Sequence, residues 1–272
     1  MMRALWTGSS GMKAQQTNVD TIANNIANVN TVGYKSQSTQ FKSLLYQTLR
    51  TETTTANGDP KPTTAQVGLG ARVASTNTDF TQGTMQANES PTALCITGEG
   101  FFRVRGEDGE DYYTRNGDFT WALDINGNRV LATSKGQEVL DYNGNPIMLP
   151  EGASGDSVSF GSDGAVAYKA PDGTYVLTGQ SVALYQFSNS KGLEKTGDSL
   201  FQQTNASGPA LNEATAQGVR RSVIAQGYLE ASNVNVADEM VNLIVAQRAY
   251  ELNSKAITTS DTMLEQANNL KR

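Results

Sequence analysis

Asp124-Ile125-Asn126-Gly127-Asn128 places oxygen donors at alternate positions, the spacing with which a loop begins to wrap a calcium ion. The remainder of the loop departs from that pattern. Glycine falls fourth rather than sixth, and Lys135 stands twelfth where a bidentate glutamate is needed. Asp141-Tyr142-Asn143-Gly144-Asn145 fails too, with Pro146 sixth and Gly152 twelfth. Both read as hairpin turns. Gly98-Glu99-Gly100 lacks the third glycine of a dinucleotide loop and reads as a tight turn. The lone thiol, Cys95, lies in the apolar run Ala93-Leu94-Cys95-Ile96 and reads as a small buried hydrophobe. The chain contains no histidine, which removes the commonest general base, the commonest metal ligand and every Ser-His or Cys-His nucleophile. Carboxylates are plentiful, but no pair stands out as catalytic. No catalytic residue, metal site or cofactor is expected.

Charge narrows the partners. The net charge is −6 and no basic run occurs, which argues against nucleic acid, because phosphate binding needs clustered Lys and Arg. No stretch reaches the roughly eighteen apolar residues of a membrane-spanning helix, so no membrane insertion is expected. Met1-Met2-Arg3-Ala4-Leu5-Trp6 turns polar at Thr7-Gly8-Ser9-Ser10 and lacks the apolar segment of a cleavable signal. If the chain leaves the cytoplasm, the general secretory route is not expected to carry it.

What the chain does carry is periodicity at its ends. Leu5, Met12, Val19 and Ile26 recur every seven residues, with Ile22 and Val29 in the second seam position. Val236, Leu243, Tyr250, Ile257 and Leu264 repeat the spacing near the other end, with Met240 beside them. A seven-residue repeat holds an apolar stripe against a partner helix. The pattern predicts a helix over residues 3–30, stopped near Gly33, and another from an Asn235 cap to Asn269. Most such stripes pack on their own domain. Here they lie outside the β-like region and are flanked by Asn, Gln, Ser and Thr, which points to contacts between subunits. Asn18 and Asn25 beside the first seam could set its register.

Between the ends the reading changes twice. Phe41, Leu44, Leu45 and Leu49 fit one face of a short helix over residues 38–49, capped by Ser38. Residues 51–66 are Thr-rich, with Asn57-Gly58, Pro60 and Pro62, and suit either an extended hairpin arm or a surface loop. From about 67 to 225, short apolar runs alternate with Asp-Gly and Asn-Gly turns, as in an all-β sandwich or barrel-like domain. The expected class is therefore α+β. Residues 1–36 and 233–272 form a terminal helical coiled-coil domain, 37–70 a short helix plus extended arm, and 71–232 a central β domain with its connector.

The segment Ala23-Asn24-Asn25-Ile26-Ala27-Asn28-Val29-Asn30-Thr31-Val32-Gly33-Tyr34-Lys35, with the opening Met2-Arg3-Ala4-Leu5-Trp6-Thr7-Gly8, resembles the signature of the bacterial flagellar rod and hook axial proteins. Ser232-Asn233-Val234-Asn235-Val236, Glu239 to Ile244 and Gln247-Arg248-Ala249-Tyr250-Glu251 resemble the family's other terminal signature. Gly98-Glu99-Gly100-Phe101-Phe102 and Tyr113-Thr114-Arg115-Asn116-Gly117 look like its central elements. Within the family, the length and the insertion after the N-terminal segment most resemble rod members with an extended arm. Other rod or hook-type paralogues share the same termini.

The resemblance implies a non-enzymatic subunit of the flagellar drive shaft. It would be exported unfolded by the flagellar type III apparatus and assembled helically with copies of itself and with other rod and hook proteins, inside bushing rings of the cell envelope. The seam residues would form the subunit interface. Phe41 and Leu45 look like the family's export motif, a Phe followed four residues later by an apolar residue. Outside the family the rivals are a carbohydrate- or protein-binding β module, which needs clustered exposed aromatics, and an enzyme, which needs a converging polar site.

Overall fold

The computed structural model describes residues 2–50, 65–124, 127–150, 153–170, 174–216 and 218–270. The chain sorts into two compact units: residues 1–27, 37–78 and 235–272 make one, and residues 28–36 and 79–234 make the other. Architecture is α+β, with a helix at each end and a β-rich centre.

In the first unit, α1 (Met2–Ala27) pairs with α2 (Val236–Asn269). The Asn235 side chain caps α2 by accepting from the Ala237 amide, and Asp238 and Glu239 sit in the first turn where the helix dipole favours negative charge. Helix α1 stops at Ala27, three residues short of the expected end. Thr31 and Tyr34 donate backbone hydrogen bonds to the Asn28 and Thr31 carbonyls instead of continuing the ladder. Gly33 takes φ +67, and a Cβ there would come within 2.6 Å of the Asn116 nitrogen. Val29 therefore lies beyond the helix and extends no seam.

The helix expected over residues 38–49 is absent. Its residues form β1 (Gln37–Ser43) and β2 (Tyr46–Arg50), which pair antiparallel with β4 (Ala71–Thr78) and β3 (Ala65–Gly68) as a long two-stranded ribbon. The apolar residues Phe41, Leu44, Leu45 and Leu49 do not decide between the two periods, and the pairing partners lie far along the chain, as with Gln37 opposite Thr78 and Tyr46 opposite Gly68, beyond any local pattern. Phe41, Tyr46 and the β-branched Thr39 and Thr48 also favour the pleated surface. The Thr-rich arm read over residues 51–66 lies almost wholly outside the described residues.

The second unit is built from β5 (Met85–Ala87), β6 (Leu94–Thr97), β7 (Phe101–Arg105), β8 (Asp111–Thr114), β9 (Phe119–Leu123), β10 (Arg129–Thr133), β11 (Glu138–Val139) and β12 (Val158–Phe160). It continues through β13 (Ala165–Lys169), β14 (Tyr175–Ser181), β15 (Leu184–Gln186), β16 (Glu194–Gly197), β17 (Leu200–Gln202), β18 (Leu211–Asn212), β19 (Val223–Gln226) and β20 (Tyr228–Glu230). Nine strands share one antiparallel sheet, ordered β16-β17-β8-β7-β11-β10-β9, with β15 joining at β7 and β18 at β15. Strands β12-β13-β14 form a smaller sheet, and β19 with β6 and β20 with β5 form pairs. Because side chains alternate along a strand, the adjacent Phe101 and Phe102 serve opposite faces of β7. Phe102 joins the main core with Leu94, Ile96, Phe119 and Leu131, whereas Phe101 joins a second cluster with Tyr113, Tyr185 and Phe201. The sheet is thus buried on both faces. Of the two calcium-like stretches, 141–145 is a turn closed by Gly144 N–H donating to the Asp141 carbonyl; in the other, Gly127 N–H donates to the Asp124 carbonyl, and residues 125–126 lie outside the described residues.

Candidate assembly interface

The two terminal helices run antiparallel, and the seams read from the sequence meet inside one chain. A Cβ on Gly8 would lie 2.9 Å from Ile257 Cγ1, and one on Gly11 would lie 2.9 Å from Asn253 Nδ2. Val19 shares a shallow hollow with Tyr250. At the far end the buried Asn25 closes a polar knot. Its Nδ2 donates to the Gln37 carbonyl at 2.8 Å and to Glu239 Oε1 at 3.1 Å, and its Oδ1 accepts from Gln37 N at 2.9 Å. One amide thus ties α1 to α2 and to the root of the ribbon. Of the seam residues, Ile22 is buried, and Leu5, Met12, Val19, Ile26, Leu243, Ile257 and Leu264 are half-buried. Val236, Met240 and Tyr250 remain exposed.

Opposite the seam, α2 carries a second apolar stripe. Val241, Ile244, Val245 and Leu252 fall on one face at helical spacing and stand 59%, 58%, 62% and 66% exposed. Met263 continues the line one face-repeat later. A helix apolar on two opposite faces belongs in an interior, not at a surface. The seven-residue repeat drew attention to the covered face. The bare stripe was legible in the same sequence as a second set of residues offset by half a turn.

The ribbon is similarly uncovered. Phe41 on β1 and Leu45 in the bend between β1 and β2 are exposed, Leu45 by 82%, and Tyr46, Leu49, Val67 and Leu69 are exposed alongside them. The bend between β3 and β4 packs on α1, where a Cβ on Gly70 would run into the Ser10 side chain. A two-stranded ribbon alone is marginal in water.

In the β unit, the residues of the matched motifs converge on a buried charge cluster. Glu230 Oε1 accepts from Lys35 Nζ at 2.6 Å and from the Gly83 amide at 2.9 Å, while Arg115 Nη1 lies 3.5 Å from Glu230 Oε2. All three side chains are almost fully buried. Lys35 also donates to the Thr81 carbonyl, and Arg115 Nη2 to the Gly98 carbonyl. Burial pulls the Lys35 ammonium below its usual range, against the opposing pull of Glu230, and does the same to Arg115. Lys195 Nζ lies 4.1 Å from the Tyr34 ring centroid. Gly33, Tyr34 and Lys35 therefore anchor the short 28–36 segment in the β unit by three separate contacts. Cys95 is fully buried, and burial pushes its thiol up to about 11, far from a reactive thiolate. Among the described residues no cluster of metal-ligating side chains occurs.

Comparison with known proteins follows the same segments. Residues 5–35 match the family described as "Flagella basal body rod protein", residues 95–168 "Flagellar hook protein FlgE/F/G D1 domain", and residues 225–270 "Flagellar basal body rod FlgEFG protein C-terminal". The flagellar basal-body rod protein FlgG of Borreliella burgdorferi is 44% identical over 274 residues, covering 100% of both chains. That of Bacillus subtilis is 39% identical over 272 residues, again covering 100% of each. The flagellar hook-basal body complex protein FlhP of Bacillus subtilis is 31% identical over 278 residues, with 100% of both covered.

Proposed function

The chain belongs to the flagellar basal-body rod protein family, a family of structural subunits and not of enzymes, and from that premise we propose how it builds the rod. It is a structural subunit of the distal rod, and the higher identity to FlgG chains than to FlhP supports that place among the paralogues. In this reading copies stack helically into a hollow shaft, a head-to-tail contact that does not close on itself. The inner wall is a coiled coil of terminal helices in which the bare stripe of α2 packs on neighbouring subunits. One observation carries the proposal: α2 is apolar on both faces and α1 covers only one.

The rest of the reading follows from the family. The subunit contacts copies of itself, other rod and hook proteins and the envelope rings around the shaft. It reaches the basal body through the type III export apparatus, with Phe41 and Leu45 as the export motif; both are solvent-accessible in the isolated chain. No helix among the described residues is long and apolar enough to cross a membrane. The ribbon and its Thr-rich arm lie along neighbouring subunits and stiffen the shaft, so deleting residues 51–66 yields rods that bend.

The decisive test is Ile244→Asp. Burying an aliphatic side chain at an interface contributes roughly 1.5–3 kcal/mol, and a buried unpaired aspartate costs several kcal/mol more. Every subunit of a helical assembly repeats the defect. The expected result is a monomer that melts as the native chain does, is exported, and forms no rods in electron micrographs of basal bodies. Leu243→Asp and Ile26→Asp, on the half-buried seam, are expected to lose rods and to loosen the monomer as well. Normal rods from Ile244→Asp overturn the reading.

A further inference from the structure

Charge is divided unevenly between the two units. Residues 28–36 and 79–234 hold nineteen acids and eleven bases, a balance of −8, while the rest of the chain holds eight acids and ten bases, +2. Strands β1 to β4 contain no acid at all. In the ribbon, Lys42 stands directly opposite Arg72, so two cations share one face across the strand pair. Like charges in that relation repel. Both residues are exposed, and among the described residues neither has a carboxylate partner. On the β unit the densest run of opposite charge is the turn between β7 and β8. Glu107, Asp108, Glu110 and Asp111 put four carboxylates into five residues. Asp111 is engaged by Arg103, whereas Glu107, Asp108 and Glu110 are exposed and unpaired among the described residues.

We propose that the Lys42–Arg72 pair of the ribbon docks on the acidic Glu107–Asp111 turn of the β unit in a second copy of this chain. The inference rests on the assembly reading and adds to it a specific partner for the ribbon. Complementary charge identifies the occupant. A face with two opposed cations and no acid in its strands needs an anionic surface, and the β unit supplies one in every copy. Bringing carboxylates between Lys42 and Arg72 turns the repulsion into two attractions. The contact also orients the exposed Phe41, which with the half-buried Val73 occupies the reverse face. Being exposed at its rim, such a contact sets register and partner choice and weakens with salt.

Charge reversal tests it in cells that produce each full-length chain as their only copy. Lys42→Glu with Arg72→Glu, and separately Glu107→Lys with Asp108→Lys and Glu110→Lys, are each expected to lower basal-body yield at least tenfold, and the combined chain to recover at least half of it. A combined chain no better than either parent overturns the proposal, as does native yield from both single reversals. Monomer melting and export of each chain are measured first. If a reversal does not fold, Lys42→Gln with Arg72→Gln takes its place, and a loss of the rod's sensitivity to added salt is the expected readout; unchanged sensitivity overturns the proposal.

A second measurement reads the contact directly. Chains carrying Lys42→Cys and Asp108→Cys are produced together and treated with a short bis-maleimide, to which the buried Cys95 is inaccessible. A mixed dimer in isolated basal bodies supports the contact, and its absence from intact rods overturns it. Rods that contain neither of the two chains would sink the assembly reading instead.

Discussion

Glu230 holds two cations that arrive from distant parts of the chain, Lys35 at a separation of 195 residues and Arg115 from the end of β8. Removing one partner of a buried ion pair leaves a charge without compensation, which costs about 3–5 kcal/mol. Glu230→Gln should therefore lower the urea stability of the β unit by that order, read from Trp121 fluorescence. Lys135→Ala, at the exposed pair with Asp198, should change it by less than about 1 kcal/mol. Glu239 makes a different prediction. Burial raises its carboxyl above the usual range, and the bond from Asn25 offsets only part of that. The folded helix pair thus holds the proton more tightly than the unfolded chain, and stability falls as pH rises from the ordinary carboxylate value through the raised one. Glu239→Gln should flatten that slope in urea titrations carried upward from the ordinary carboxylate value of about 4.3. Lys35 and Arg115 stood inside recognisable motifs, yet nothing in the sequence joined them to Glu230. Motifs mark which residues matter, whereas pairing across such separations is fixed only by folding.

At the scale of elements, α2 was legible almost to the residue because its cap, its acidic first turn and its periodicity all agree. The ribbon was not, since its pairing partner lies far along the chain and its apolar spacing suits a helix equally well. The glycines of α1 show how finely the helix pair is fitted. Gly8 weakens an isolated helix by about 1 kcal/mol relative to alanine. Its Cβ would press on Ile257 Cγ1 at 2.9 Å and sit 3.5 Å from the Asn253 carbonyl oxygen, so Gly8→Ala should gain propensity and lose packing in similar amounts, leaving monomer stability within about 1 kcal/mol. Gly8→Leu, far larger, should separate α1 from α2, costing about 1–3 kcal/mol. Thermal melting followed by helical circular dichroism distinguishes the two.

Neither unit of the whole molecule is continuous in sequence. A fragment of residues 79–234 keeps the nine-stranded sheet but leaves Glu230 without Lys35. It should melt cooperatively at a lower temperature than the β unit of the full chain. A peptide of residues 28–36 added in trans should raise that temperature, by the equivalent of about 2.7 kcal/mol at a hundredfold excess over its dissociation constant, and a Lys35→Ala peptide should not. Calorimetry with both peptides checks it. The same discontinuity governs time. Strand β20 supplies Glu230 to Lys35 and α2 supplies the partner of α1, so in each unit segments far apart along the chain must meet before that unit is complete. At about 5–20 residues per second, the 195 residues separating Lys35 from Glu230 take roughly 10–39 s to make. Throughout that interval the nascent chain is short of contacts that only Glu230 and α2 can provide. High contact order then slows closure further. The long separations from Lys35 to Glu230 and from α1 to α2 are thus a kinetic delay written into topology: each unit waits for a segment made long after its first one.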